Sequence, residues 1–118
     1  MATNPSPVPV LSMAIDRTPT EILVRCAGKI TSDTIQELRA AVKPLLSKSK
    51  TVVLDLTNVT YMDSSGLGAI ASLYISAKGV TAQLTLINLN ERLKEIFSIT
   101  RLGHIMAQGR DPENLVPP

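Results

Sequence analysis

From Val10 onward the chain alternates short stretches of two-residue hydrophobic period with longer stretches of helical period. Val10 to Ile15 predicts a first strand, Arg17-Thr-Pro-Thr20 a turn, and Glu21 to Ala27 a second strand with Ile22, Val24 and Cys26 on one face. So short a link implies an antiparallel hairpin. Gly28 is expected to break the second strand, after which Thr31, Ser32 or Asp33 caps a helix whose first amides otherwise lack acceptors. Ile35, Leu38, Val42, Leu45 and Leu46 recur at helical spacing, with Gln36, Glu37, Arg39 and Lys43 facing the other way. Pro44 sits inside this pattern and predicts a kinked or loosened last turn.

Val52-Val-Leu-Asp-Leu56 is nearly continuous apolar sequence rich in β-branched residues, the pattern of a strand covered on both faces and hence of the central strand. Asn58 to Ser65 is read as a loop. A second helix is expected from about Ser65 to Lys78, with Leu67, Ile70, Leu73, Tyr74 and Ala77 as its buried stripe and Gly79 as its stop. Ala82 to Leu89 alternates as a strand, Leu84 and Leu86 opposing Thr85 and Ile87. Asn90 then caps a third helix in which Leu93, Ile96 and Phe97 share a face, and Gly103 precedes a short apolar piece, His104 to Ala107. Strands separated by helices of this size predict an α/β fold, a single domain with a small mixed β-sheet flanked by helices in β-β-α-β-α-β-α order and right-handed crossovers. Pro5, Pro7 and Pro9 mark residues 1–9 as a flexible tail, and the Pro-containing, charged sequence of 109–118 marks another, leaving 10–108 as the domain.

Composition narrows the function classes. The chain has 118 residues, which suits one core, and it is 44% hydrophobic but only 3% aromatic, so that core is aliphatic and no ring platform for stacking nucleic-acid bases is available. Twelve basic residues against ten acidic ones leave +2, spread along the sequence, which gives no concentrated patch for a polyanion and no expectation of direct nucleic-acid binding. One cysteine, Cys26, and one histidine, His104, exclude an intrachain disulfide framework and leave no Cys- or His-based metal site, so neither cofactor nor metal is expected. Cys26 alternates with Ile22 and Val24 and reads as a small buried hydrophobe. A secretory signal is not visible, apolar runs stay short of the ~20 residues of a membrane span, and a cytoplasmic protein without membrane insertion is expected.

The informative stretch is Val53-Leu-Asp-Leu-Thr-Asn-Val-Thr-Tyr-Met-Asp-Ser-Ser-Gly-Leu-Gly68. A buried strand ends, a polar loop follows, and Asp63-Ser64-Ser65-Gly66 opens a helix. A serine hydroxyl there lies where first-turn amides lack intrahelical acceptors and the helix dipole is positive, a place that favours added negative charge. A phosphoserine would bring about −1.5 to −2 charges to it. Gly66 and Gly68 remove side chains beside the serine, so that another protein can approach. The simpler alternative is that Ser64 or Ser65 is only the N-cap, a role worth about 0.5–2 kcal/mol without further function.

The same stretch resembles the hallmark of STAS domains, specifically the small stand-alone anti-sigma factor antagonists of bacteria. Gly28 with the following helix resembles the family's early Gly element, and Leu84 to Leu89 followed by Asn90 to Leu102 resembles its later strand and helix ending in T-x-L. The resemblance implies that Ser64 is a regulatory phosphorylation site and that Thr31, Tyr61, Met62, Asp63, Ser65, Gly66 and Leu67 belong to a partner-binding surface. It implies a partner switch. The unphosphorylated protein binds a GHKL-type anti-sigma factor that is also a serine kinase, phosphorylation by ATP releases it, and a PP2C-type phosphatase resets it. Many such antagonists carry an Asp shortly after the early Gly, where this chain has Gly28-Lys-Ile-Thr31, so the docking role is implied more firmly than efficient phosphorylation. Asp63 is expected to position the loop and help orient the serine hydroxyl, with Ser65 and Gly66 supplying first-turn amides. Tyr61 and Met62 either face a partner or pack beneath the loop.

Enzyme and nucleotide-site motifs are incomplete in this chain. An enzyme built on a nucleophile elbow needs G-x-S-x-G, and Asp63 occupies the place of the first Gly, with only His104 as a base. Gly66-Leu-Gly68 lacks the Lys of a P-loop and the third Gly of a dinucleotide site. The expectation is therefore a non-enzyme, and the alternative to a phosphorylation switch is a constitutive docking subunit of a lipid-transport or stress-signalling complex.

Overall fold

The computed structural model describes residues 10–98, which hold β1 (Leu11–Arg17), β2 (Ile22–Ile30), α1 (Ile35–Val42), a 3₁₀ turn (Lys43–Ser47), β3 (Thr51–Met62), α2 (Ser64–Gly79), β4 (Gln83–Ile87) and α3 (Glu91–Ser98). The order β-β-α-β-α-β-α is the expected one, with the 3₁₀ turn following α1. Pro44 stands at the start of that turn, where its missing amide costs no helical hydrogen bond, and α1 accordingly stops at Val42. The tails 1–9 and 109–118, the domain limit at 108, His104 and the T-x-L ending lie outside the described residues.

The strands form one mixed sheet in the order β1-β2-β3-β4. β1 and β2 are an antiparallel hairpin, whereas β2–β3 and β3–β4 are parallel, so β3 is one of two inner strands. Ile22, Val24 and Cys26 of β2, Val52, Leu54 and Leu56 of β3, and Leu84 and Leu86 of β4 share one cluster with Leu38 and Val42 of α1, Ile70, Leu73 and Ala77 of α2, and Leu93 and Phe97 of α3. Each Val, Ile, Leu or Phe side chain among these contributes roughly 1.5–3 kcal/mol when removed from water, which is how an aliphatic chain holds this fold with a single Phe. Val53 and Thr85 are buried too, so the sheet is covered on both faces where β3 and β4 pair; the expected one-sided alternation of β4 gives way there.

β1 runs on to Arg17, which was expected in the turn, and β4 spans only Gln83–Ile87 of the expected Ala82 to Leu89; two further differences lengthen strands toward the same end of the sheet. Gly28 does not end β2. Its φ of +114° accommodates an irregularity in the β2–β3 pairing, and a Cβ there would run into the carbonyl of Val10, so glycine lets the strand continue to Ile30. The expected loop from Asn58 is β-structure as far as Met62, paired to β2 through Ala27↔Asn58, Gly28↔Val59, Lys29↔Tyr61 and Ile30↔Met62. Its polar residues Thr57, Asn58, Thr60 and Tyr61 are exposed because β4 pairs only as far as Asp55, leaving this half of β3 uncovered on that side.

Candidate functional site

Because β2 and β3 are parallel, Ile30 and Met62 end side by side and deliver the 31–34 segment and Asp63 to the same edge. The carboxyl ends of parallel strands are where open α/β sheets build their sites. Asp63 is extended (φ −102°, ψ −175°), and its amide donates to the carbonyl of Ile30 at 3.3 Å. One carboxylate oxygen accepts the amide of Gly66 at 2.9 Å, and the other accepts the amide of Ser32 at 3.3 Å. Asp63 is therefore the N-cap of α2 and also ties the β2–α1 segment to it. Neither Ser64 nor Ser65 caps the helix, contrary to the simpler alternative.

That displacement matters for Ser64. It becomes the first residue of α2, exposed, and its side chain forms no hydrogen bond with the described residues. The amides of Ser64 and Ser65 have no intrahelical acceptor, while that of Gly66 is taken by Asp63. Gly66 thus does not supply a free amide, and it does not open the surface to a visitor. It is buried, and a Cβ on it would meet the carbonyl of Ile30, Met62 Cγ at 2.8 Å and Ile30 Cγ2 at 2.9 Å. Glycine here lets the first turn of α2 settle against the end of β2. Gly68 is the open position, with nothing within 4 Å of a Cβ placed on it.

Of the two residues left undecided by sequence, Tyr61 is 42% exposed and Met62 only 2%, so Met62 packs beneath the site and is removed from the surface expected to meet a partner. The strand register explains the pair, since neighbours on β3 point to opposite faces. Thr31 and Leu67 are half-buried. The Thr31 hydroxyl accepts the amide of Asp33 at 3.3 Å, and its own amide donates to the hydroxyl of Thr34 at 2.9 Å. Thr34, missed by sequence reasoning, is 2% exposed and donates its hydroxyl to the carbonyl of Lys29 at 2.8 Å. It stands at the N-cap position of α1 in place of Thr31, Ser32 or Asp33, without a side-chain capping bond. The T-x-x-T spacing of Thr31 and Thr34 was the available signal. At the adjacent edge, Asn90 caps α3 by accepting the amide of Leu93 at 2.8 Å and donates to the carbonyl of Val59 at 3.1 Å.

The arrangement presents an exposed hydroxyl at the start of a helix. Among the described residues no group of three or more His, Cys, Asp or Glu forms a metal cluster, and no helix is long and apolar enough to cross a membrane. Cys26 is 2% exposed, and burial, with a smaller contribution from the charge of Asp55, pushes its thiol up to about 12.

The chain is similar to known proteins over most of its length. A family model described as "Mlab, STAS domain" matches residues 13–115. An anti-sigma-B factor antagonist of Bacillus subtilis is 32% identical over 96 residues, covering 81% of this chain and 88% of that protein. Among solved structures, an anti-sigma factor antagonist described as putative, from Thermotoga maritima, superposes with a TM-score of 0.73 at 20% identity, over 80% of this chain and 83% of that one. The unphosphorylated form of the anti-sigma factor antagonist SpoIIAA gives 0.70 at 19% identity, over 86% and 91%. These structural matches carry the fold alone.

Proposed function

The chain belongs to the STAS domain family, among the anti-sigma factor antagonists, and we propose that it works as a phosphorylation-controlled partner switch centred on Ser64. One observation carries this reading: Asp63 takes over helix capping, which leaves the Ser64 hydroxyl exposed and unbonded at the positive end of α2. In the unmodified protein Ser64, Ser65, Thr31, Tyr61 and Leu67 form the docking surface for an anti-sigma factor. That partner is a GHKL-type serine kinase, which transfers the γ-phosphoryl group of ATP to Ser64 Oγ. The Oγ–P bond forms as the bond to the β-phosphate oxygen breaks, ADP leaves, and the hydroxyl proton passes to the kinase. A PP2C-type phosphatase hydrolyses the ester.

The electrostatics act on the complex more than on the domain. A phosphate at the first residue of a helix is favoured by the dipole and the free amides, so the fold tolerates it. The same charge in the middle of a small interface is desolvated on docking, and every 1.4 kcal/mol of that cost weakens binding about tenfold. Asp63 is a positioning residue in this scheme, since both its oxygens are engaged by backbone amides. We propose a cytoplasmic setting in a bacterium, in keeping with the single buried thiol and the bacterial relatives.

A second reading, a constitutive docking subunit of a lipid-transport or stress-signalling complex, is favoured by Thr31 at the place where many antagonists carry an acid. The experiment that separates them mixes the protein with its kinase partner and ATP, maps phosphate by mass spectrometry and compares partner binding of Ser64→Ala and Ser64→Asp. The switch reading expects phosphate on Ser64 and loss of binding in Ser64→Asp only. Absence of phosphate with wild-type binding by Ser64→Asp leaves the docking reading.

A further inference from the structure

The fold gathers basic residues that the sequence scatters. We propose that a groove at the end of the sheet opposite Ser64 is a binding site for a phosphorylated small molecule. The groove has a volume of about 800 Å³, within the roughly 300–1,000 Å³ of small-molecule sites. Arg17 from the end of β1 and Lys48 and Lys50 from the segment before β3 converge on it, and none of its lining residues carries a carboxylate. An adjoining groove of about 510 Å³ shares Lys50, Thr51 and Thr81 and adds Lys78, whose ammonium also lies 5.4 Å from the centre of the Tyr74 ring.

The cations of the groove are not neutralised by carboxylates of the described residues. Arg25 is paired with Asp16 at 2.7 Å and Lys94 with Glu91 at 3.4 Å, whereas Arg17, Lys48 and Lys50 have no ion-pair partner among the described residues. Like charges around one concavity repel, and an anion seated between them removes that cost. Arg and Lys together with hydroxyl donors are the side chains that take phosphate oxygens. Thr51 and Thr81 also line the groove, and Val80, 51% exposed, adds apolar surface for the organic part. Nucleic acid is the poorer fit because no aromatic side chain lines the groove for stacking. An extended acidic peptide needs cations spaced along a track, and here they converge. The site is independent of the switch: β3 runs twelve residues from Thr51 to Met62, roughly 35 Å at the rise of a strand.

The test titrates the isotopically labelled full chain with pyrophosphate at constant ionic strength, alongside a glutamate decapeptide, and follows backbone amides by nuclear magnetic resonance. The expected result is saturable shifts at Lys48, Ser49, Lys50 and Thr81 with Ser64 unmoved. Affinity should fall at least tenfold in the Lys48→Gln/Lys50→Gln double variant and hold in Arg92→Gln, with both variants keeping the wild-type spectrum elsewhere. Non-saturating shifts shared by all exposed lysines, unchanged affinity in the double variant, or tighter binding of the peptide than of pyrophosphate would each overturn the proposal.

Discussion

The carboxylate of Asp63 holds the amide of Ser32, 31 residues earlier in the chain, at 3.3 Å while it caps Gly66 at 2.9 Å. One side chain thus fixes the start of α2 and the segment leading into α1, and the geometry around Ser64 depends on it. Asp63→Ala should lower stability by about 1–2 kcal/mol, the usual worth of an N-cap, as read from urea unfolding. Hydrogen exchange should accelerate at both Ser32 and Gly66; acceleration at Gly66 alone would mean the link to Ser32 carries no weight.

Two glycines two residues apart make opposite predictions. Gly66→Ala places a methyl against the Ile30 carbonyl and within 2.9 Å of Met62 and Ile30 side-chain carbons, and should cost about 1–3 kcal/mol. Gly68→Ala meets open space in an exposed part of α2 and should gain about 0.5–1 kcal/mol. Thermal unfolding of the pair checks the difference. Gly68→Arg, equally free of clashes inside the domain, should weaken partner docking if the exposed face of α2 approaches a partner closely.

Stability should also depend on Asp55. Burial opposes its charge, but hydrogen bonds from the Thr57 hydroxyl, the Asn88 side chain and the Thr57 amide, with Arg25 nearby, outweigh burial and hold its carboxyl below the ordinary value. A depressed folded value means stability present above the unfolded value and lost as pH falls through the folded one. Asp55→Asn should therefore cost about 1 kcal/mol near pH 7. The gap to wild type should close as pH drops below about 4, where the unfolded aspartate gains its proton. A gap constant from pH 7 to pH 3 would contradict this.

Most of the architecture was readable in the apolar periods, because each element is long enough to show its own: Ile22, Val24 and Cys26 at period two, and Leu93, Ile96 and Phe97 at helical spacing. The strand ends were not. Gly28 reads locally as a breaker, and only its pairing with Val59 and its closeness to Val10 reveal it as a bulge inside β2. Likewise Thr57 to Tyr61 look like a loop because they are polar, and they form a strand because β2 offers hydrogen bonds beside them. At the site, the Asp-Ser-Ser-Gly sequence located the helix start but not the division of labour within it. Which residue caps depends on the extended backbone at position 63, set by the parallel pairing of Ile30 and Met62. Met62 is internal by the alternation of β3, and Gly66 because the first turn of α2 packs against the end of β2. The convergence of Arg17, Lys48 and Lys50 was beyond the sequence altogether, since a hairpin end and a helix-to-strand connection meet only in three dimensions.

The account rests on charge at Ser64 controlling docking without unfolding the domain. The most direct measurement is calorimetric titration of the anti-sigma partner with the unmodified protein and with protein carrying phosphoserine at position 64, their thermal stabilities being compared in the same buffer. The account predicts affinity at least 100-fold weaker for the phosphorylated form, about 2.8 kcal/mol, with thermal stability unchanged. Equal affinities for the two forms would contradict it.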